Sequence, residues 1–213
     1  MKVEFSEIVD LSHEISEKMP VWPGDPKTEI FEIEYEGYMV EKLTIGTHTG
    51  THIGTPRHFG FSGSVTDLKP KDLFVRAVLV DVSCDRHDLD VEEIEKWQRT
   101  HRKITEECVI LKTGQDVFWN DGERYFKEYP GFTADAVEYL FEVGVRIFAT
   151  DAPSVDPSCD KLFLSNLKIF EKGGIHVENL TNLQKLPLYD FWIFIAPLSL
   201  KSGGTPARVV ALV

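Results

Sequence analysis

Residues 133–150 constrain the fold most tightly. Thr133 offers the hydroxyl that the free N–H groups of a helix start require, and Gly144 supplies a stop. Between them Ala136, Val137, Leu140, Phe141 and Val143 fall on one helical face, so this helix has a side to bury. Residues 145–150 follow at once, with the length and composition of a strand. A helix delivered straight into a strand predicts a mixed α/β chain. Further helices are predicted over 91–100, behind the capping Asp90, and over about 160–172, ended by Gly173-Gly174. Residues 29–35 alternate apolar and polar with period two, the pattern of a sheet with one solvated face. That alternation resumes over 42–47, past a turn region at Gly37-Tyr38. Residues 75–82 and 109–112 read as more deeply buried strands, and 191–196 and 208–213 as the last two. No repeat or Ser/Pro-rich linker divides the chain, so residues 1–213 are read as one domain.

Composition narrows the function classes. The 213 residues carry 23 Lys and Arg against 35 Asp and Glu, a net charge of −12. Nucleic acid is excluded as a partner, because displacing phosphate counterions takes clustered basic side chains. The amino-terminal residues are acidic where a signal peptide begins basic and turns apolar, and no run reaches the ~18 apolar residues of a membrane helix. Cys84, Cys108 and Cys159 are odd in number and irregularly spaced, neither a disulfide framework nor a Cys-x-x-Cys metal site. A cytoplasmic protein with no membrane partner is the expectation.

Chemistry concentrates in residues 48–58, where His48, His52 and His58 lie within eleven positions among Thr, Gly and Pro. Two histidines four apart can form a metal pair on a helix, but this composition reads as a strand ending in a Gly-rich loop. On a strand, residues 48, 50 and 52 share a face, which predicts that both imidazoles point the same way. Neutral imidazoles suit Zn²⁺, and the spacing reads equally as an acid/base cluster or as loop histidines bonded to backbone.

The segment resembles the signature H-x-G-T-H-x-D-x-P-x-H of the cyclase family that includes bacterial kynurenine formamidase. Every fixed position matches except the Asp, which is Gly54 here. Asp10-Leu11-Ser12, Trp22-Pro23-Gly24-Asp25, Thr113-Gly114, 150–156, Glu178-Asn179-Leu180 and 204–208 are similar to further family elements in the same order, so the resemblance covers nearly the whole chain. It implies an α/β swivelling β/α/β cyclase-like fold with a mixed sheet and flanking helices. It also implies a homodimer or homotetramer, and hydrolysis of a small-molecule formamide, amide or lactam by metal-activated water. N-formylkynurenine-like aryl formamides are the default substrate.

Carried over by residue, the resemblance implies His48, His52 and Glu178 as metal ligands, His58 as general acid/base and Trp22 against an aromatic substrate. It also implies two losses. Gly54 stands where an Asp bridges two metals, and Asn166 stands twelve residues before Glu178, where a second-metal His belongs. The expectation is therefore one divalent ion, Zn²⁺ or Mn²⁺, with the second site absent. His176 is an open option: if 176–178 is a strand, its ring faces the same way as Glu178 and can stand in for the missing imidazole. Arg57 is a candidate for a substrate carboxylate, while Asp25, Asp151 and Asp156 read as structural. The alternative to an enzyme is a metal-poor pseudoenzyme that binds a small metabolite on the same scaffold.

Overall fold

The computed structural model describes residues 3–213. In chain order the strands are β1 (Ile8–Asp10), β2 (Glu29–Tyr35), β3 (Tyr38–Thr44), β4 (His52–Gly54), β5 (Phe74–Asp81), β6 (Cys108–Lys112), β7 (Ile147–Thr150), β8 (Ile175–Glu178), β9 (Phe191–Pro197) and β10 (Gly204–Leu212). The helices are α1 (Val91–Thr100), α2 (Gly122–Tyr125), α3 (Ala134–Glu142) and α4 (Leu164–Glu171). Strands β5, β6, β7 and β8 run parallel. β4 pairs antiparallel with β8, and β9 antiparallel with β5. The long β10 pairs with β4 through its first residues and with β9 through the rest, which closes the sheet into a barrel; β1 adds to β10.

Period two along the parallel strands sorts their side chains into two cores. Ala77, Leu79, Cys108, Ile110, Ile147, Ala149, Ile175 and Val177 fill the barrel with Ile53, Ile193, Ile195 and Val209. Val78, Val80, Val109, Leu111 and Phe148 face outward, where Ile94, Trp97, Val137, Leu140 and Phe141 of α1 and α3 and Ile169 and Phe170 of α4 cover them. β5, β6 and β7 are largely apolar on both faces because both are covered, whereas β8 turns His176 and Glu178 outward. Each fully buried Leu, Ile or Phe contributes roughly 1.5–3 kcal/mol.

Helices α1 and α3 form where their caps place them: Asp90 accepts from the N–H of Glu93, and Thr133 from that of Ala136. The predicted helix over 160–172 starts later, at Leu164. Asp160 bonds the N–H groups of Leu162 and Leu164 as a turn, and Phe163 has a left-handed backbone (φ 55°). β10 starts at Gly204 rather than 208, because Gly204, Thr205 and Pro206 pair with β4 despite the poor strand propensity of Gly204 and Pro206.

The run over 29–35 is a strand, but it lacks the covered face that its alternation predicts. It pairs only with β3, and every residue of both strands is exposed. The turn between them is Glu36-Gly37, both at positive φ (47° and 86°), as a two-residue hairpin demands. β3 accordingly begins at Tyr38, before the predicted 42. One face of this ribbon presents Phe31, Ile33, Tyr35, Tyr38 and Val40 beside Glu29 and Lys42; the other carries Glu32, Glu34 and Glu41 among Ile30, Met39 and Leu43.

Candidate metal centre

The β4–β8 pairing sets the site. His52 lies opposite Glu178 and Gly54 opposite His176, while Ile53 and Val177 between them point into the barrel. His176 and Glu178 therefore share the outward face, as a strand over 176–178 requires. His48 is not on a strand with His52: the segment before β4 is a turn, and Gly50 sits at φ +63°, which breaks the extended backbone. The turn nevertheless brings the two rings together edge-on, with centroids 5.0 Å apart, and His48 stacks on His58 at 3.7 Å. Gly204 of β10 lies beneath His48, where any Cβ would overlap the ring.

A nitrogen from each of His48, His52 and His176 falls within 4.8 Å of the others. Hydrogen bonds fix which nitrogen is free. His52 Nδ1 lies 2.9 Å from the carbonyl of Gly50 and must donate to it. Asn179 braces that carbonyl through Nδ2 at 2.8 Å and is itself held by the Tyr125 hydroxyl at 2.6 Å. His176 Nδ1 lies 2.6 Å from Asn166 Oδ1. Both Nε2 atoms are left buried with no hydrogen-bond partner, and that of His52 faces Glu178 Oε2 at 3.1 Å. A nitrogen and a carboxylate oxygen that close need a proton or a metal ion between them, so the donor set fits a metal ion.

The charges agree. Burial holds His48 well below the ordinary histidine range and pushes His176 down to about 3, so both rings are neutral at pH 7, the form that ligates metal. Burial raises the Glu178 carboxyl, but the positive charge that His176 or His52 carries when protonated and the N–H of Val155 at 2.9 Å outweigh it and hold the group below the usual carboxylate range. Asp151 and Asp156 hold loops, as the sequence reads them. Asp151 accepts from Thr113 and Gly114, and Asp156 from Ser165 and Asn166.

His48, His52, His176 and Glu178 line a cavity of ≈ 200 Å³. Its walls are aromatic: Trp22 packs against Phe126 at 5.6 Å and Phe163 at 6.3 Å, and Phe59 stands beside Phe163 at 6.4 Å. His58 lies at the open side, its basicity lowered by burial against the opposing pull of Glu178. Asp25 joins the lining, whereas Arg57 is exposed and does not. The structure thus gathers Trp22, His48, His52, His58 and Glu178 in one cavity. Phe59, Phe126 and Phe163 were not singled out from the sequence, since isolated aromatic residues carry no spacing signal; Asn179 stands in the Glu178-Asn179-Leu180 motif but is given no role there.

The Cyclase family model matches residues 9–157. The kynurenine formamidase of Bacillus cereus (strain ATCC 14579) is 31% identical over 212 residues, covering 96% of this chain and 97% of that one. The chain belongs to the cyclase family. The kynurenine formamidase of Bacillus thuringiensis (strain Al Hakam) is 32% identical at the same coverage. Among solved structures, isatin hydrolase A from Labrenzia aggregata bound to benzyl benzoate superposes with a TM-score of 0.89 at 25% identity, covering 97% of this chain and 93% of that one. An isatin hydrolase bound to thioisatinate, 24% identical, shares the fold with a TM-score of 0.90 and covers 97% and 92%. These cyclase-family relatives are hydrolases, and the barrel with its outer helices is the mixed α/β fold that the motif resemblance implied.

Proposed function

We propose that this protein is a metal-dependent hydrolase that opens the C–N bond of an aromatic formamide, amide or lactam, with N-formylkynurenine-like aryl formamides as the first candidates. The observation that carries the reading is a cluster of three imidazoles, with nitrogens within 4.8 Å of one another, lining an aromatic-walled cavity. The relatives' names, a kynurenine formamidase and a hydrolase of isatin, point the same way.

In this reading His48 and His52 hold one divalent ion, Zn²⁺ or Mn²⁺, with the Glu178 carboxylate beside them. When bound, such an ion brings the pKa of water to about 7 and polarises a carbonyl. The chain's own residues do the rest. Trp22, Phe126 and Phe163 receive a planar ring and set its carbonyl over the imidazoles. His58, open to the cavity, accepts a proton from the attacking water and returns it to the leaving nitrogen. Among the described residues no Lys or Arg lines the cavity, which favours a neutral reacting end of the substrate over an anionic one.

The reading includes a homo-oligomer, a dimer or tetramer. Its support is the β2–β3 ribbon, whose exposed Phe31, Ile33 and Val40 form an apolar face that an isolated two-stranded sheet in water does not sustain.

Elemental analysis of protein purified without chelator or nickel tests the reading, together with an amide panel led by aryl formamides and isatin-type lactams. The expected result is about one equivalent of zinc or manganese per chain and a hydrolysis that chelation abolishes. No bound metal, with none taken up when both ions are supplied, defeats the hydrolytic reading.

A further inference from the structure

His176 is a buried imidazole with two unusual neighbours. Gly54 lies directly across the β4–β8 pair from it, and a Cβ at position 54 would overlap the ring. The imidazole therefore occupies the space that any side chain at 54 would need. Asn166 on α4 stands on its other side with Oδ1 2.6 Å from Nδ1. That amide cannot turn over, because Nδ2 donates at 2.6 Å to Asp156 Oδ2. Asp156 is fixed in turn by the N–H groups of Ser165 and Asn166. With Nδ1 committed as the donor, the lone pair sits on Nε2, which has no partner and lies among the nitrogens of His48 and His52. Gly54 and Asn166 are also the two positions where the chain lacks a metal ligand that the family resemblance implies, and both touch this one residue.

We propose that Gly54, Asn166 and His176 act as one unit that supplies a third imidazole, so that this chain holds a single zinc-class ion on His48, His52 and His176. Gly54 clears the space, His176 is the ligand, and Asn166 is a positioning residue that fixes its tautomer. The proposal rests on the metal-dependent hydrolase reading and refines its donor set. Three neutral imidazoles suit zinc, whereas manganese prefers carboxylate and water. A side-chain carbonyl that accepts from the distal N–H orients a metal-bound histidine, and losing such a partner costs about 10–100-fold in affinity.

The test is zinc binding to the chelator-stripped full chain, by competition with a chromophoric chelator, with zinc K-edge absorption of the loaded protein. One zinc per chain is expected, with three imidazoles in its first shell and manganese bound more weakly. His176→Ala should lower the imidazole count to two. Asn166→Ala should weaken zinc about 10–100-fold while the absorption edge still reports histidine ligation. Gly54→Ala, which displaces the ring, should behave like His176→Ala. Melting of the stripped variants checks folding, and if Asn166→Ala fails to fold, the His176→Ala count decides alone. Should His176→Ala bind zinc as wild type does, with two imidazoles in both, the proposal falls and the hydrolase reading on His48 and His52 stands. Should the wild-type chain take up neither zinc nor manganese, the hydrolase reading falls and the proposal with it.

Discussion

The β4–β8 pair and the β2–β3 ribbon are both antiparallel, yet one buries every residue and the other buries none. In β4–β8 the inward positions Ile53, Ile175 and Val177 join the barrel core, and the outward positions build the metal centre. In β2–β3 the apolar side chains touch other residues of the ribbon and stay about half exposed within this chain. Alternation sorts side chains onto two faces of a strand; what covers each face depends on the strand's neighbours. The pair that reads most clearly as sheet in the sequence therefore contributes no residue to the cavity lining.

The sharpest way to break this contrast is at the outward face of the site. His58→Ala should lower the hydrolysis rate about 10²–10⁴-fold, the usual contribution of a general acid/base, while metal content stays at the wild-type level. Unchanged turnover with an intact metal would remove His58 from the mechanism. The inward face should respond in stability instead. Ile53 is fully buried between the site and the barrel, so Ile53→Ala should cost about 2–5 kcal/mol. In a chain of this size that lowers the melting temperature by about 2–4 °C per kcal/mol. A shift under ~1 °C would mean that the barrel interior tolerates a cavity beside the site.

On the ribbon, Phe31→Ser with Ile33→Ser should leave the chain folded, since exposed substitutions cost within about 0.5 kcal/mol each. The expected effect is on assembly, read by light scattering after size exclusion as a shift toward the monomer. An unchanged mass, or a wild-type chain already monomeric, would separate the ribbon from oligomerisation.

Legibility in the sequence followed how local the determinant was. The helix starts at Asp90 and Thr133 are set by one side chain reaching three residues ahead, and α1 and α3 form where those caps predict. The signature histidines were legible as a cluster, but not their backbone: the positive φ of Gly50 takes His48 off the strand that carries His52. His176 was legible only as an option, because its meaning depends on lying opposite Gly54, a pairing between segments more than 120 residues apart. For the same reason Asn166 read as a lost ligand, although its partner is ten residues along the chain on another element. Substitutions that look like losses one at a time become intelligible when the register puts them against a common neighbour.

The smallest expected effect concerns His13, outside the metal centre. Its ring stacks on Trp119 at 3.8 Å and its N–H bonds Thr51. Burial lowers its pKa from 6.5 to about 4. Above pH 6.5 the group is neutral in both folded and unfolded chains and has no pH-dependent effect on stability. Below 6.5 the unfolded chain takes up a proton that the folded chain refuses until about pH 4, so stability falls across that window. His48 and His176, also buried in the neutral form, push the same way. His13→Phe keeps a flat ring on Trp119 and removes the titration. Thermal melts of chelator-stripped protein should therefore fall less steeply between pH 6.5 and 4 in His13→Phe than in wild type. Parallel curves would show that the stacked ring charges as readily in the folded chain as in the unfolded one, and that the acid sensitivity belongs to the metal centre alone.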